Sequence, residues 1–299
     1  MPAVVSHYLL AERVYDTLSQ SCPNMNISRT AFMWGCSGPD IFFSHRLLPW
    51  QTGKSLRSLG SQLHNTPADK IINYFMSYAR NNESDIAAAY TLGFVTHYAF
   101  DSTAHPFVLY FADKMSEKQP VKHPSVCHNE IESALDTIFL KYEKNILISD
   151  FKLQSTSPLD EKINMIIAEL YHSYLLAEKN KNISVETMIQ VQQDWHKGLS
   201  LLNDGYQIKK SVIQTGEKVL KMKPMLSPVI RTPHPDLKND FANFKHCEWF
   251  SEADGKMHTE DFFELAEIAT KFSLQLIALL VSGKNIPHEM CRASFSGHN

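Results

Sequence analysis

Residues 84–105 read SDIAAAYTLGFVTHYAFDSTAH. From Ile86 to Phe100 no side chain is formally charged, so a helix over this stretch is buried on most of its sides. The run approaches the roughly 20 apolar residues that a membrane span needs. Thr91, Thr96, His97 and Asp101 argue against a span, because ionisable groups are rare inside bilayers, and the chain has no second segment of this kind. A buried helix of a soluble protein therefore carries His97 and Asp101. Four residues apart, the two share one helix face, about 6 Å apart along the axis. A buried carboxylate is expensive unless it is paired or bound to metal. A structural Asp–His hydrogen bond and a metal site both meet that condition, and the pair alone does not choose between them.

Outward from this segment the chain reads as one helix after another. Val4 to Leu18 carries apolar residues at three- and four-residue spacing. Thr66-Pro67 supplies a cap and a first-turn proline that open Ala68 to Arg80, and Ser157-Pro158 does the same for a helix through Glu178. Ser184 opens a run predicted helical to about Lys221, and a last helix is expected from about Thr259 to Val281. No period-two alternation is long enough for a strand; Asp204-Gly205 and Asp254-Gly255 are isolated turn signals. The expected fold is all-α, a single multi-helix domain over residues 1–299. Lys223 to His258 interrupts it with Pro224, Pro228, Pro233 and Pro235, and is expected to run over the surface as a long irregular excursion. It reads as an excursion and not a linker, because the amphipathic helix after it needs an existing core to cover its apolar face.

Composition agrees. The 299 residues are 43% hydrophobic and 20% charged, enough to bury a large core. Gly and Pro together supply 25 residues, about 8% against roughly 12% in average usage, which disfavours a turn-rich β-sandwich. With 29 Lys and Arg against 32 Asp and Glu, and no block of like charges, a dedicated nucleic-acid surface and polybasic membrane attachment are both disfavoured. At most peripheral membrane contact is expected. The five cysteines (Cys22, Cys36, Cys127, Cys247, Cys291) are odd in number and form no Cys-x-x-Cys. The start, Met1-Pro2-Ala3-Val4-Val5, has no basic n-region before an apolar core, so a cytoplasmic chain is expected.

Histidine is the unusual count, at 14 copies against 11 Gly. A second His-x-x-x-acid pair, His128 and Glu132, follows the first within a helical-looking stretch. Their number means little, since a shuffled chain of this composition holds about 1.5 such pairs. Their placement says more: both lie within 36 residues on separate candidate helices, with His105 and His123 between them. Imidazoles and carboxylates on facing helices are how helical proteins build multi-metal sites. No adjacent His-Asp dyad, His-Glu-x-x-His or Gly-x-Ser-x-Gly is present, and Gly283-Lys284 lacks the upstream glycine of a phosphate loop. Glu169-x-x-His172 is a single copy and reads as a solvated face. His172, His196, His234, His246, His258, His288 and His298 read as polar or loop residues, and Trp34, Phe42 and Phe43 as core side chains anchoring a turn.

Five pieces occur in order: His7-Tyr8-Leu9-Leu10; Trp34-Gly35-Cys36-Ser37-Gly38-Pro39-Asp40-Ile41-Phe42-Phe43; His64 in Gly60-Ser61-Gln62-Leu63-His64; His97-Tyr98-Ala99-Phe100-Asp101-Ser102-Thr103-Ala104-His105-Pro106; and His128-Asn129-Glu130-Ile131-Glu132. Over this first half the chain resembles the zinc-dependent phospholipase C family, whose all-α fold is shared with single-strand-specific zinc nucleases. The resemblance implies two or three Zn2+ ions. Asp40, His64, His97 and Asp101 would hold one; His105, His128 and Glu132 a second; His7 with a bridging Asp101 a third. In secreted relatives that third ion is completed by an N-terminal Trp, where this chain has Met1-Pro2. The four-residue step from Asp101 to His105 is shorter than in those relatives and leaves His123 as an alternative ligand. Asp40 is also the expected catalytic base.

Three functions follow. The resemblance implies a phospholipase C that cuts a glycerophospholipid to diacylglycerol and a phosphorylated headgroup through a zinc-activated water. A metal phosphodiesterase or nuclease acting on a soluble substrate is the second. A non-catalytic helical interaction module with structural histidines is the third.

Overall fold

The computed structural model describes residues 4–23, 25–47, 51–119, 122–204, 208–221, 224, 226–233, 239–291 and 293–295. Ten α-helices run through them: α1 (Val4–Ser21), α2 (Arg29–Gly35), α3 (Arg57–His64), α4 (Ala68–Asn81), α5 (Asp85–Lys118), α6 (Pro124–Lys144), α7 (Glu161–Lys179), α8 (Val185–Leu201), α9 (Ile208–Val219) and α10 (Phe262–Val281). Short 3-10 turns occupy Gly38–Ser44, Leu153–Thr156, Ser227–Val229 and His288–Cys291. The all-α expectation holds.

The uncharged stretch is the axis of the molecule. Ser84 caps α5 by accepting the Ala87 N–H, and every residue from Ala89 to Asp101 is buried. Helices α1, α2, α4, α6 and α10 pack around it. The α2–α5 contact is close because both sides offer glycine: a Cβ on Gly35 would stand 2.1 Å from the Tyr90 carbonyl oxygen, and one on Gly93 1.9 Å from that of Phe32. Buried apolar side chains from Val4 to Phe295 form one continuous cluster. No helix of the described residues is long and apolar enough to cross a membrane.

Several start signals move. Ser184 caps α8 as expected, its side chain accepting the Thr187 N–H. Thr66 does not cap α4; its hydroxyl donates back to the Gln62 carbonyl, and the helix opens behind Pro67 alone. Nor does Ser157 open α7. It is buried, accepting from Trp195 Nε1 at 3.2 Å, while Asp160 caps the helix three residues later. A carboxylate in solvent outcompetes a hydroxyl already spent on the core. Likewise Asp261 with Glu264 forms a reciprocal capping box for α10, two residues beyond Thr259. The run after Ser184 is broken after Leu201, where Asn203 turns its amide to the Ile148 and Phe151 carbonyls, and resumes as α9 (Ile208–Val219); Gly205 lies outside the described residues.

The proline-rich stretch is not irregular throughout. Two three-residue strands, β1 (Trp249–Ser251) and β2 (Lys256–His258), pair antiparallel around Asp254-Gly255, with Gly255 at φ +70°. Three residues per strand are too few for sequence alternation to register. Pro235 and the residues around it, 234–238, lie outside the described set. Arg231 is buried and binds Asp136 of α6 through Nε and Nη2, each at 2.8 Å; Asp136 also accepts the Ser6 N–H and hydroxyl. This buried pair fastens the Ser227–Arg231 stretch to α6 and α1.

Candidate metal centre

Five elements converge beside the middle of α5. Helix α1 brings His7, the turn Gly38–Ser44 brings Asp40, and the last residue of α3 is His64. Helix α5 contributes His97, Asp101 and His105 on successive turns, and α6 contributes His128 and Glu132. Asp101 is the junction: Oδ1 lies 3.1 Å from His7 Nε2, while Oδ2 lies 3.3 Å from His97 Nε2 and 3.7 Å from His64 Nε2. His64 Nε2 is also 3.2 Å from Asp40 Oδ1. Further along α5, the rings of His105 and His128 stand 4.9 Å apart, and His128 Nε2 is 3.1 Å from Glu132 Oε1. Three sets thus place their donor atoms within 4.8 Å of one another: His7, His97 and Asp101; Asp40, His64 and His97; His105, His128 and Glu132.

The surroundings aim these rings. His97 Nδ1 meets the Cys36 carbonyl at 3.0 Å and His64 Nδ1 the Gly60 carbonyl at 2.8 Å. A carbonyl only accepts, so each Nδ1 carries the proton and each Nε2 presents a lone pair to the centre. Gly38 makes room for this. Its φ is +49°, and a Cβ there would stand 2.3 Å from His97 Cδ2. Tyr171 donates to the Gly38 carbonyl at 3.3 Å and receives the Tyr90 hydroxyl proton, so the turn is braced from α7 and α5.

The donor atoms are not satisfied by one another. Asp40 Oδ1, His97 Nε2, Asp101 Oδ2 and Glu132 Oε2 are buried with no hydrogen bond among the described residues, although His97 Nε2 and Asp101 Oδ2 are near neighbours. Buried acceptors crowded together without donors are costly, and a shared divalent cation removes that cost. Imidazole nitrogen and carboxylate oxygen are the donors that zinc takes, so the residues fit the ion. Charge points the same way. Burial alone would push the Asp101 carboxyl up, but His97 and His7 hold it well below the usual carboxylate range. Burial also opposes ionisation of Glu132, yet the adjoining His128 brings it down to about 2. His105 is lowered to about 4 by burial and by His128, which keeps its ring neutral and able to ligate. For His7 and His64 burial is outweighed by Asp101 and Asp40 respectively, and both are raised.

All eight residues singled out in the sequence come together here. His123 does not join them: it caps α6, its Nδ1 accepting the Ser125 N–H at 3.2 Å. Met1 and Pro2 lie outside the described residues. Trp34 and Phe42 are core side chains, while Phe43 stacks on the His64 ring at 5.5 Å. Of the other histidines, His172 and His196 turn Nδ1 to the Ile183 and Ser157 carbonyls, His258 stacks on Trp249, and His288 meets Asp69; His234 and His298 lie outside the described residues. His246 stands with Asp261 and Glu264 on the surface, where both acids already serve the α10 cap.

Two contributors had no sequence signal. His45 is buried and its Nδ1 accepts the Leu56 N–H at 3.0 Å, which orients the segment leading into α3. Phe295 is buried against both His64 (ring centroids 5.3 Å apart) and His97 (5.9 Å), beneath the centre. A cleft of about 400 Å³ lined by Lys122, Glu130 and Lys210 contains none of the eight and opens on another face of α6.

The family model described as zinc dependent phospholipase C matches residues 6–197, more than half of the chain and a span that contains all eight of these positions. No curated protein sequence and no solved structure matches.

Proposed function

The chain belongs to the zinc dependent phospholipase C family, and on that premise we propose that it is a zinc-dependent phosphodiester hydrolase whose substrate is a glycerophospholipid. The observation that carries the reading is the convergence of three donor sets, each within 4.8 Å, inside the family-matched segment. His7, Asp40, His64, His97, Asp101, His105, His128 and Glu132 are the proposed ligands, for two or three ions. Zinc bound there supplies a hydroxide near neutral pH and offsets the charge that builds on the phosphate oxygens.

The chain's own residues do the rest. Asp101, with one oxygen toward His7 and the other toward His97 and His64, ties two donor sets together and sets their spacing. Cys36 and Gly60 hold the tautomers of His97 and His64 through their carbonyls. Asp40, buried at the edge of its set, is the proposed general base that takes the proton of the attacking water. The bond cut joins phosphorus to the diacylglycerol oxygen, and the products are diacylglycerol and a phosphorylated headgroup.

The test is hydrolysis by zinc-replete protein across a panel of phospholipids and water-soluble phosphodiesters, with zinc measured per chain. Release of phosphorylated headgroups in preference to cleavage of soluble diesters is expected. Preference for nucleotides or soluble diesters would replace the lipid reading. Less than one tightly bound zinc per chain, with unchanged stability in His97→Ala, would leave a non-catalytic helical module.

A further inference from the structure

Helix α9 is amphipathic in the reverse sense. The one buried residue among its twelve is a glutamate, Glu217, whose carboxylate accepts the Leu226 N–H at 2.8 Å and the Ser227 hydroxyl. Apart from the half-buried Ile213, its apolar side chains face solvent: Ile208 and Val212 are each 65% exposed, Val219 is 74% exposed, and Leu220 just beyond the helix is 69% exposed. At 3.6 residues per turn, Ile208, Val212 and Val219 fall within about 40° of one another, so they form one stripe. Isolated exposed apolar residues need no explanation, but an aligned set on a helix with a polar inner side does.

Charge indicates what covers the stripe. Lys218 stands on one flank of it, and Lys218 and Lys221 are exposed without an ion pair among the described residues, while Lys209 on the other flank turns its Nζ to the Asn203 carbonyl at 2.7 Å. Residues 208–221 hold four lysines (Lys209, Lys210, Lys218, Lys221) against Glu217 alone, in a chain of net charge −3. An apolar stripe with flanking lysines is the pattern of a helix lying in a membrane interface, where aliphatic side chains enter the acyl boundary and ammonium groups reach lipid phosphates. The aromatic and arginine anchors that dominate protein–protein contacts are missing from this face.

We infer that α9 is the element by which this protein docks on an anionic phospholipid surface. The inference rests on the phospholipase reading for its purpose, since a lipid substrate has to be reached in a bilayer. It also gives that reading a physical route. Glu217 ties α9 to the turn Ser227–Val229, and Pro228 of that turn accepts a hydrogen bond from Ser133 of α6 at 2.8 Å. Helix α6 carries His128 and Glu132, so the docking helix and the metal centre are both anchored on α6.

The test uses the zinc-loaded full chain and two exposed double variants, Val212→Asp with Val219→Asp, and Lys218→Glu with Lys221→Glu. Cosedimentation is measured with vesicles of phosphatidylcholine alone and of phosphatidylcholine mixed with phosphatidylserine. The parent protein is expected to favour the anionic vesicles, and added salt to weaken that binding. The valine variant should lower partitioning by about tenfold or more, and the lysine variant should abolish the preference for phosphatidylserine. Both should unfold near the parent temperature and cleave a monomeric short-chain phospholipid at the parent rate. Equal vesicle binding by parent and both variants overturns the inference, even if monomeric phospholipid is cleaved. A concentration-dependent dimer broken by Val212→Asp, with no vesicle binding, overturns it in favour of a second copy on this face. Loss of vesicle binding in the variants upholds the inference, even where no phospholipid is cleaved and the phospholipase reading falls by itself.

Discussion

Gly38→Ala adds one methyl group and is expected to cost about 2–5 kcal/mol while loosening the bound metal. Two terms make up the figure. Residue 38 sits at φ +49°, where an L-residue is strained by roughly 1–2 kcal/mol relative to glycine. The new Cβ would also stand 2.3 Å from His97 Cδ2 and 2.7 Å from its Nε2. That ring is fully buried, stacked on His7 at 4.4 Å and backed by Phe295, so it has no free space to swing into. Over-packing of this kind costs roughly 1–3 kcal/mol. Any tilt that relieves the clash also strains the bond from His97 Nδ1 to the Cys36 carbonyl and turns Nε2 away from Asp101. Urea unfolding of metal-free and zinc-loaded protein, with zinc affinity from competition against a chromophoric chelator, measures both effects. A stability change under about 0.5 kcal/mol with unaltered zinc affinity would refute the placement of His97 against this turn.

Other outcomes follow from the same geometry. His105→Ala should lower tightly bound zinc by one equivalent and leave the rest, because the set with His128 and Glu132 shares no residue with the other two; elemental analysis of purified variants checks this. Arg231→Met should destabilise by about 3–5 kcal/mol in denaturant titration, since it leaves the Asp136 carboxylate buried without its cation. For His45, burial lowers the pKa below the usual 6.5, and Nδ1 is already accepting the Leu56 N–H. As pH falls through 6.5 the unfolded chain takes up a proton that the folded one refuses, so this residue removes stability on the acid side and restores it above. Urea titrations across that range should show a shallower acid-side loss in His45→Gln.

The helical fold was legible because α5 announces itself: fifteen uncharged residues that include a histidine and are followed at once by an aspartate have few other homes. The donor set was legible for a related reason, since buried His and Asp need partners and the ordered pieces supplied them. What stayed hidden was set by tertiary competition. Ser157 looks like a cap until the Trp195 indole claims it, and Asp254-Gly255 looks isolated because its strands are three residues long. The supports of the centre are carbonyls of Cys36 and Gly60 and the ring of Phe295, and neither a backbone oxygen nor a distant phenylalanine leaves a pattern in sequence. Lys209 and Lys218 are nine residues apart in the chain, so they register as flanks of one stripe only once Ile208, Val212 and Val219 are seen outside.

Phe295 also imposes an order in time. The ring beneath His97 and His64 is synthesised about 200 residues after His97, an interval of roughly 10–40 s at ordinary translation rates. Once Glu132 has been made all eight donor side chains are in the chain, still 163 residues before the ring that packs against His64 and His97. The packing of His64 and His97 is thus completed by a hydrocarbon ring that arrives after the last donor.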